Sequence, residues 1–209
     1  MQSRQLRMQR DMSMPSSPLN HFVCFLYKLI WMQNLLIPIL LVISPALACN
    51  IQWPNGTDVT FNWWQCNSGP VQFYNATPSD VNGNYEYPIH LGKPLVVSMD
   101  MLNPKNVYTN PNLLASVNLW SWGTSLGGCS WSSIPTLGLL KDLNACESGV
   151  PCPVQTGRQW LSATVDFSKF QAIINMLKDN APYQLQLTLH DKKSGDTSCL
   201  MAQARAYIH

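Results

Sequence analysis

Gly123-Thr-Ser125-Leu-Gly127 has the Gly-x-Ser-x-Gly spacing of the nucleophile elbow in lipases and esterases, where a strand-to-helix turn lifts a serine hydroxyl clear of a sheet. An acid and then a histidine would complete the relay, and Asp142 or Asp166 followed by His190 stand in that order. The elbow needs a helix directly after the serine. Here Gly127, Gly128 and Cys129 follow without a helical run, and His190 falls on the polar side of a strand pattern. The segment therefore reads as a glycine-rich hairpin loop, with a Ser125-dependent esterase as the alternative; no enzyme is expected. His90, beside a proline, and His209, last in the sequence, read as solvated single residues.

Cysteine is the other chemistry-bearing residue. Of seven cysteines, Cys24 lies in the N-terminal segment, leaving Cys49, Cys66, Cys129, Cys146, Cys152 and Cys199, an even set that suits disulfides in an oxidising compartment. The close pair, Cys146 and Cys152, has five residues between its members and no neighbouring histidine, which does not match zinc-ligand spacing. No metal or cofactor is expected. Asn55-Gly-Thr57 and Asn75-Ala-Thr77 are glycosylation sequons that fit the same compartment.

The N-terminus carries the matching address. Arg4, Arg7, Arg10 and Lys28 precede the apolar run Leu35–Ile43 and then Ala46-Leu47-Ala48, the layout of a signal peptide cleaved after Ala48. Leu35–Ile43 is too short to cross a bilayer, although 29–47 taken together just reaches the length of a signal anchor. Met32 would itself begin a compact signal, making 1–31 an upstream extension. Cys49 lacks the leucine three positions earlier that a bacterial lipoprotein signal carries, having Ala46 there. The expected organisation is an extension and signal over 1–48 and one domain over 49–209, delivered to a secreted or lysosomal location.

Only 11% of the 209 residues are charged, against roughly 25% in ordinary globular chains. From residue 49 onward nine basic and ten acidic side chains give a near-neutral surface without a single-sign run. Nucleic acid is not an expected partner.

The elements that must position these residues are mostly strands. Tyr183, Leu185, Leu187 and Leu189 alternate with polar residues over 183–190, and Leu95, Val97, Met99 and Met101 share one side of another run. Ala115, Val117 and Leu119 do the same within 113–122, with Trp120 and Trp122 on the opposite side. In 197–208, Leu200, Ala202, Ala204, Ala206 and Ile208 alternate with Cys199, Met201, Gln203, Arg205 and Tyr207 in a closing strand. Two segments break the period of two. Phe170, Ile173, Ile174 and Leu177 predict a short amphipathic helix over 168–179 capped by Ser168. Leu137, Leu139, Leu140 and Leu143 fit either a helical turn or an irregular loop, because Pro135 and Gly138 interrupt them. The class is all-β, an immunoglobulin-like two-sheet antiparallel β-sandwich with one or two short helices.

Four segments together resemble the ML-domain lipid-recognition proteins, and the ganglioside activator branch more than the Niemann-Pick sterol carriers. They are Phe61-Asn-Trp-Trp-Gln-Cys66, Gly127-Gly-Cys129-Ser-Trp131, Cys152-Pro-Val-Gln-Thr-Gly157, and the hairpin from Tyr183 through Lys193-Ser-Gly195 to Cys199, spanning about 61–208. The chain departs from the ganglioside activators in having fewer cysteines, with none between Asn112 and Gly128.

The resemblance implies a sandwich whose sheets part to hold a lipid, whether glycolipid, phospholipid, fatty acyl chain or sterol, with transient membrane contact and a glycosidase or receptor as possible protein partner. It further implies a Cys66–Cys199 disulfide; the accompanying pairings, Cys129 with Cys152 and Cys49 with Cys146, are the choice made among the fifteen possible. Lipid would then lie against Leu95, Val97, Met99, Met101, Val117, Leu119, Leu185, Leu187 and Leu189, positions that plain core packing explains equally. Trp120, Trp122 and Trp131, with Leu139 and Leu140 of the 134–143 loop, would form an apolar rim, or else pack as core and surface. The competing class is a secreted recognition module in which lipid is only filler.

Overall fold

The structure is a computed structural model that describes residues 53–125 and 128–208. The apolar alternations within 183–190 and 95–101 lie in different sheets. β1 (Asn62–Gln65), β2 (Gln72–Ser79), β3 (Ile89–His90), β4 (Leu95–Asn103), β5 (Leu113–Ser125) and β6 (Gly128–Ile134) come first in the chain. After them follow β7 (Leu143–Asn144), β8 (Gly157–Val165), α1 (Gln171–Ile174), β9 (Ala181–Asp191) and β10 (Thr197–Tyr207). One sheet has the order β1-β10-β9-β5-β6, with β3 also on β10 and β7 also on β5. The other is β2-β4-β8. Pairing is antiparallel throughout apart from β3, which runs parallel to β10. This is the all-β, two-sheet sandwich that the alternating pattern predicts.

The inner faces meet where the pattern places them. Met99 and Met101 of β4, at 1% and 2% exposure, pack with Leu161 and Ala163 of β8 against Leu113, Ala115 and Leu200 of the larger sheet. Burial of each of these methionine and leucine side chains contributes roughly 1.5–3 kcal/mol. β10 does not lie at the margin of its sheet: β1 and β3 flank it on one side and β9 on the other, so the first and last strands of the domain are neighbours.

Cys66 and Cys199 are bonded, tying the loop after β1 to β10, in agreement with the expected pairing. The other expected pairings are overturned, because Cys146 bonds Cys152, with Cα atoms 5.5 Å apart. The cause is a tight turn. The Val150 amide donates to the Ala145 carbonyl at 2.9 Å, and Ala145 is itself held by Leu113, so the turn brings the two cysteines side by side. Gly149 makes the turn possible: its φ is +113°, and a Cβ there would stand 1.8 Å from the Thr164 carbonyl oxygen. Cys129 is also disulfide-bonded. The segment expected to be a signal, with Cys24, and also Cys49 and His209 lie outside the described residues.

The predicted helix over 168–179 is corrected. A 3₁₀ turn at Phe167–Phe170 leads into a single α turn, and the cap is Asp166, whose Oδ1 accepts from the Ser168 amide at 3.1 Å. Two adjacent β-branched isoleucines propagate a helix poorly. They also serve two clusters, Ile173 packing with Leu119, Ile134 and Leu140, and Ile174 with Leu95, Ala204 and Ala206. The 134–143 stretch resolves as turns, with positive φ at Leu137 and Gly138, ending in β7.

Candidate ligand-binding site

The larger sheet outreaches the smaller one. Val117, Leu119, Tyr183 and Leu185 continue the inner face defined by Ala115, Leu187 and Leu189; the cluster around Leu119 contains no residue of β2, β4 or β8, and Tyr183 marks the boundary, packing also in the cluster of Leu95 of β4. Its cover comes from the 167–177 segment, through Phe170, Ile173 and Leu177, and from Leu140 of the 134–143 turns. One hydrophobic face is thus covered in two ways, by the smaller sheet over one part and by a short helical segment together with Leu140 over the rest.

Beyond that segment lies a cleft of about 320 Å³. Its wall is Ser121, Trp122, Gly123 and Thr124 of β5 with Ser132 of β6; its far side is Met176 and Lys178, which follow α1, and Ala181 and Tyr183 of β9. The volume falls at the lower end of the range for small-molecule pockets. Between the sheets, the void bounded by Val71, Met101, Leu113 and Leu189 is about 10 Å³, room for roughly one water.

The register of β5 builds the wall. Ser121 lies opposite Ser132 on one side and Tyr183 on the other, so all three share the inner face. The Tyr183 hydroxyl accepts from the Lys178 amide at 2.6 Å and donates to the Lys178 carbonyl at 2.8 Å, which fastens the end of the helical segment to β9. Burial pushes the Tyr183 phenol above its usual pKa. Lys178 is the one ionisable side chain besides Tyr183 in the cleft wall, and it is exposed. Hydroxyls and a cation at the mouth, with hydrocarbon beneath the adjoining segment, can hold an amphiphile by both ends.

The residues expected from the sequence to touch lipid fall into three groups. Leu95, Val97, Met99, Met101, Leu187 and Leu189 line the inner faces where both sheets are present, and they are packed. Val117, Leu119, Leu185 and Leu140 lie under the helical segment. Trp122 and Trp131 are opposite each other in the β5–β6 pair, with ring centroids 5.3 Å apart in an edge-to-face contact, and Trp120 is on the same side as Trp122, away from the inner face. Leu139 is exposed. Of all these, only Trp122 lines the cleft. Ser121, Ser132, Met176 and Lys178 went unnoticed, being ordinary residues that only the β5–β6 register and the turn after α1 bring together; the Tyr183 alternation was the one readable signal.

The Ser125 motif has no elbow. β5 ends at Ser125 and pairs back through Gly128 into β6, so a strand follows where a helix is required. Its candidate partners are engaged elsewhere: Asp142 with Ser116, Asp166 with Ser168, and His190 with Thr197 at 3.0 Å. His90 is not the solvated single residue expected, since its Nδ1 lies 2.8 Å from a Glu86 carboxylate oxygen and its ring stacks on Tyr207. Among the described residues no three His, Cys, Asp or Glu side chains gather as a metal site. Among them, too, no helix is long and apolar enough to cross a membrane.

No family model matches the chain, and no curated protein matches it in sequence. Among solved structures, a Niemann-Pick type C2 protein from the Japanese carpenter ant aligns at 16% identity and TM-score 0.39, covering 69% of this chain and 98% of that one. The C-terminal domain of wzt aligns at 11% identity and TM-score 0.33, covering 71% and 79%. Neither is close enough to transfer a ligand or a role.

Proposed function

We propose that this chain is a non-enzymatic lipid-binding and lipid-transfer protein of a secretory or lysosomal compartment, in the manner of the ML-domain proteins its motifs resemble, the ganglioside activator branch included. The observation that carries the reading is the inner face at Leu119 and Leu185, covered by one short helical segment and opening at its end into the 320 Å³ cleft. An acyl chain entering there displaces Phe170, Ile173 and Leu177 from the sheet and takes their place, while its polar end stays with Ser121, Ser132 and Lys178. A chain of about sixteen methylenes gains on the order of 13 kcal/mol gross from leaving water. Ordering the chain and moving the segment offset most of that. A surface of low net charge lets such a carrier touch a membrane without strong repulsion.

Blocking the cleft tests the reading. Ser121→Trp places an indole in open space rather than in packed core, so the unfolding midpoint stays near wild type while binding of a fluorescent fatty acyl probe falls at least tenfold. Unchanged probe binding by the folded variant would refute the placement.

A further inference from the structure

The outward face of the smaller sheet carries an uncovered indole. Trp160 of β8 is 64% exposed and Tyr74 of β2 is 46% exposed, unusual for large aromatic side chains. Register places three residues in one row across this face: Asn75 of β2 opposite Asp100 of β4, and Asp100 opposite Trp160 of β8. Directly paired residues point to the same side, and two strand spacings put Asn75 about 10 Å from Trp160. Between them the surface is fixed. Arg158 donates to both carboxylate oxygens of Asp100, at 3.0 and 2.7 Å, and its guanidinium lies 4.5 Å from the centre of the Tyr74 ring.

Asn75 opens the sequon Asn75-Ala-Thr77, is exposed, and leaves its side-chain amide free of hydrogen bonds to the described residues. The other sequon differs. The Asn55 amide donates to Gln203 at 2.6 Å, Gln203 is buried, and Thr57 is fully buried, so a sugar there would leave one N–H that must stay aimed at Gln203 while the first sugar ring finds room beside it. We infer that Asn75 is the glycosylated asparagine of this domain, that Asn55 is bare, and that the Asn75 glycan lies across the Asp100–Arg158 pair and covers Trp160.

The occupant follows from what surrounds the indole. A bilayer or an apolar protein surface pressed on Trp160 would also strip water from the Arg158 guanidinium, whose side chain is 64% exposed, a desolvation cost that opposes the gain from the indole. A sugar ring offers its C–H face to the indole and its hydroxyls to Arg158 and Asp100, so both kinds of neighbour are satisfied. The inference rests on the secretory location proposed above.

The test uses the full chain produced through a secretory pathway. Peptide mass mapping is expected to find Asn75 occupied and Asn55 unmodified. Hydroxyl-radical footprinting then compares the glycosylated protein with the same protein after enzymatic removal of the glycan under native conditions. Trp160 is expected to be oxidised several-fold faster once the glycan is gone, while Trp64, exposed on the other sheet, is unchanged; Asn75→Gln should match the deglycosylated protein. Equal oxidation of Trp160 in both forms, or an unoccupied Asn75, would overturn the inference. Uptake of the acyl probe by the same preparations reads the lipid-binding proposal separately.

Discussion

Four carboxylates show what single residues contribute. Asp100 is held below the usual carboxyl range by its hydrogen bonds from Arg158, Asp196 by Asn106 and then Tyr108, Asp80 by Asn84, and Asp166 by Ser168. A lowered folded-state pKa means that the unfolded chain binds protons first on acidification. Their stabilisation is therefore complete above the ordinary carboxyl value of 3.8 and is lost as the pH falls through the lower folded values. Urea titrations across this range should show the midpoint dropping below about pH 4, and Asp196→Asn should flatten the drop; an equally steep loss in the variant would contradict this assignment. The Arg158–Asp100 pair was not legible in the sequence, since its members are 58 residues apart and meet only through the β4–β8 register. Cysteine was legible in part. The Cys66–Cys199 bond follows from the motif resemblance, whereas Cys146–Cys152 depends on a turn whose closeness Gly149 alone hints at.

Strands were readable as elements because period-two alternation states directly which side chains share a face, and β4, β5, β9 and β10 all carry it. Their lengths were less so: β5 runs on through Gly123 and Thr124 to Ser125, where the glycine-rich composition suggested a loop. The helical segment was readable in kind but not in extent, since two clusters divide its apolar residues. Its hold on the sheet makes a specific prediction. Tyr183→Phe removes the hydroxyl that bridges the Lys178 amide and carbonyl, two hydrogen bonds together worth about 1–3 kcal/mol. The freed segment should lift more readily, so stopped-flow acyl-probe uptake and release both accelerate while the unfolding midpoint falls slightly. Unchanged exchange rates would mean that the segment is not the gate. The Cys66–Cys199 bond joins elements 133 residues apart in sequence. The chain-entropy model assigns such a loop about 5 kcal/mol, against about 2 kcal/mol for the Cys146–Cys152 turn. The double variant Cys66→Ala, Cys199→Ala should accordingly lose far more stability in urea than Cys146→Ala, Cys152→Ala, and the reverse order would refute the comparison.

For the whole molecule, the decisive feature is the mismatch between the two sheets. A sandwich with equal layers fills its interior with its own side chains, and where both sheets are present this one does so, leaving about 10 Å³ around Met101 and Leu113. Where the smaller sheet stops, a few residues of helix and turn cover the same apolar face, and beside them lies the 320 Å³ cleft. The central claim is that this end of the domain holds exchangeable lipid. Native mass spectrometry of the full chain purified from a secretory host tests it most directly. The spectrum is expected to show a bound species of lipid mass that is lost on mild activation, is exchanged when an excess of a second lipid is added, and is absent from Ser121→Trp. A wild-type protein that arrives at its bare mass, and stays there after incubation with fatty acid, phospholipid, glycolipid and sterol in turn, would contradict it.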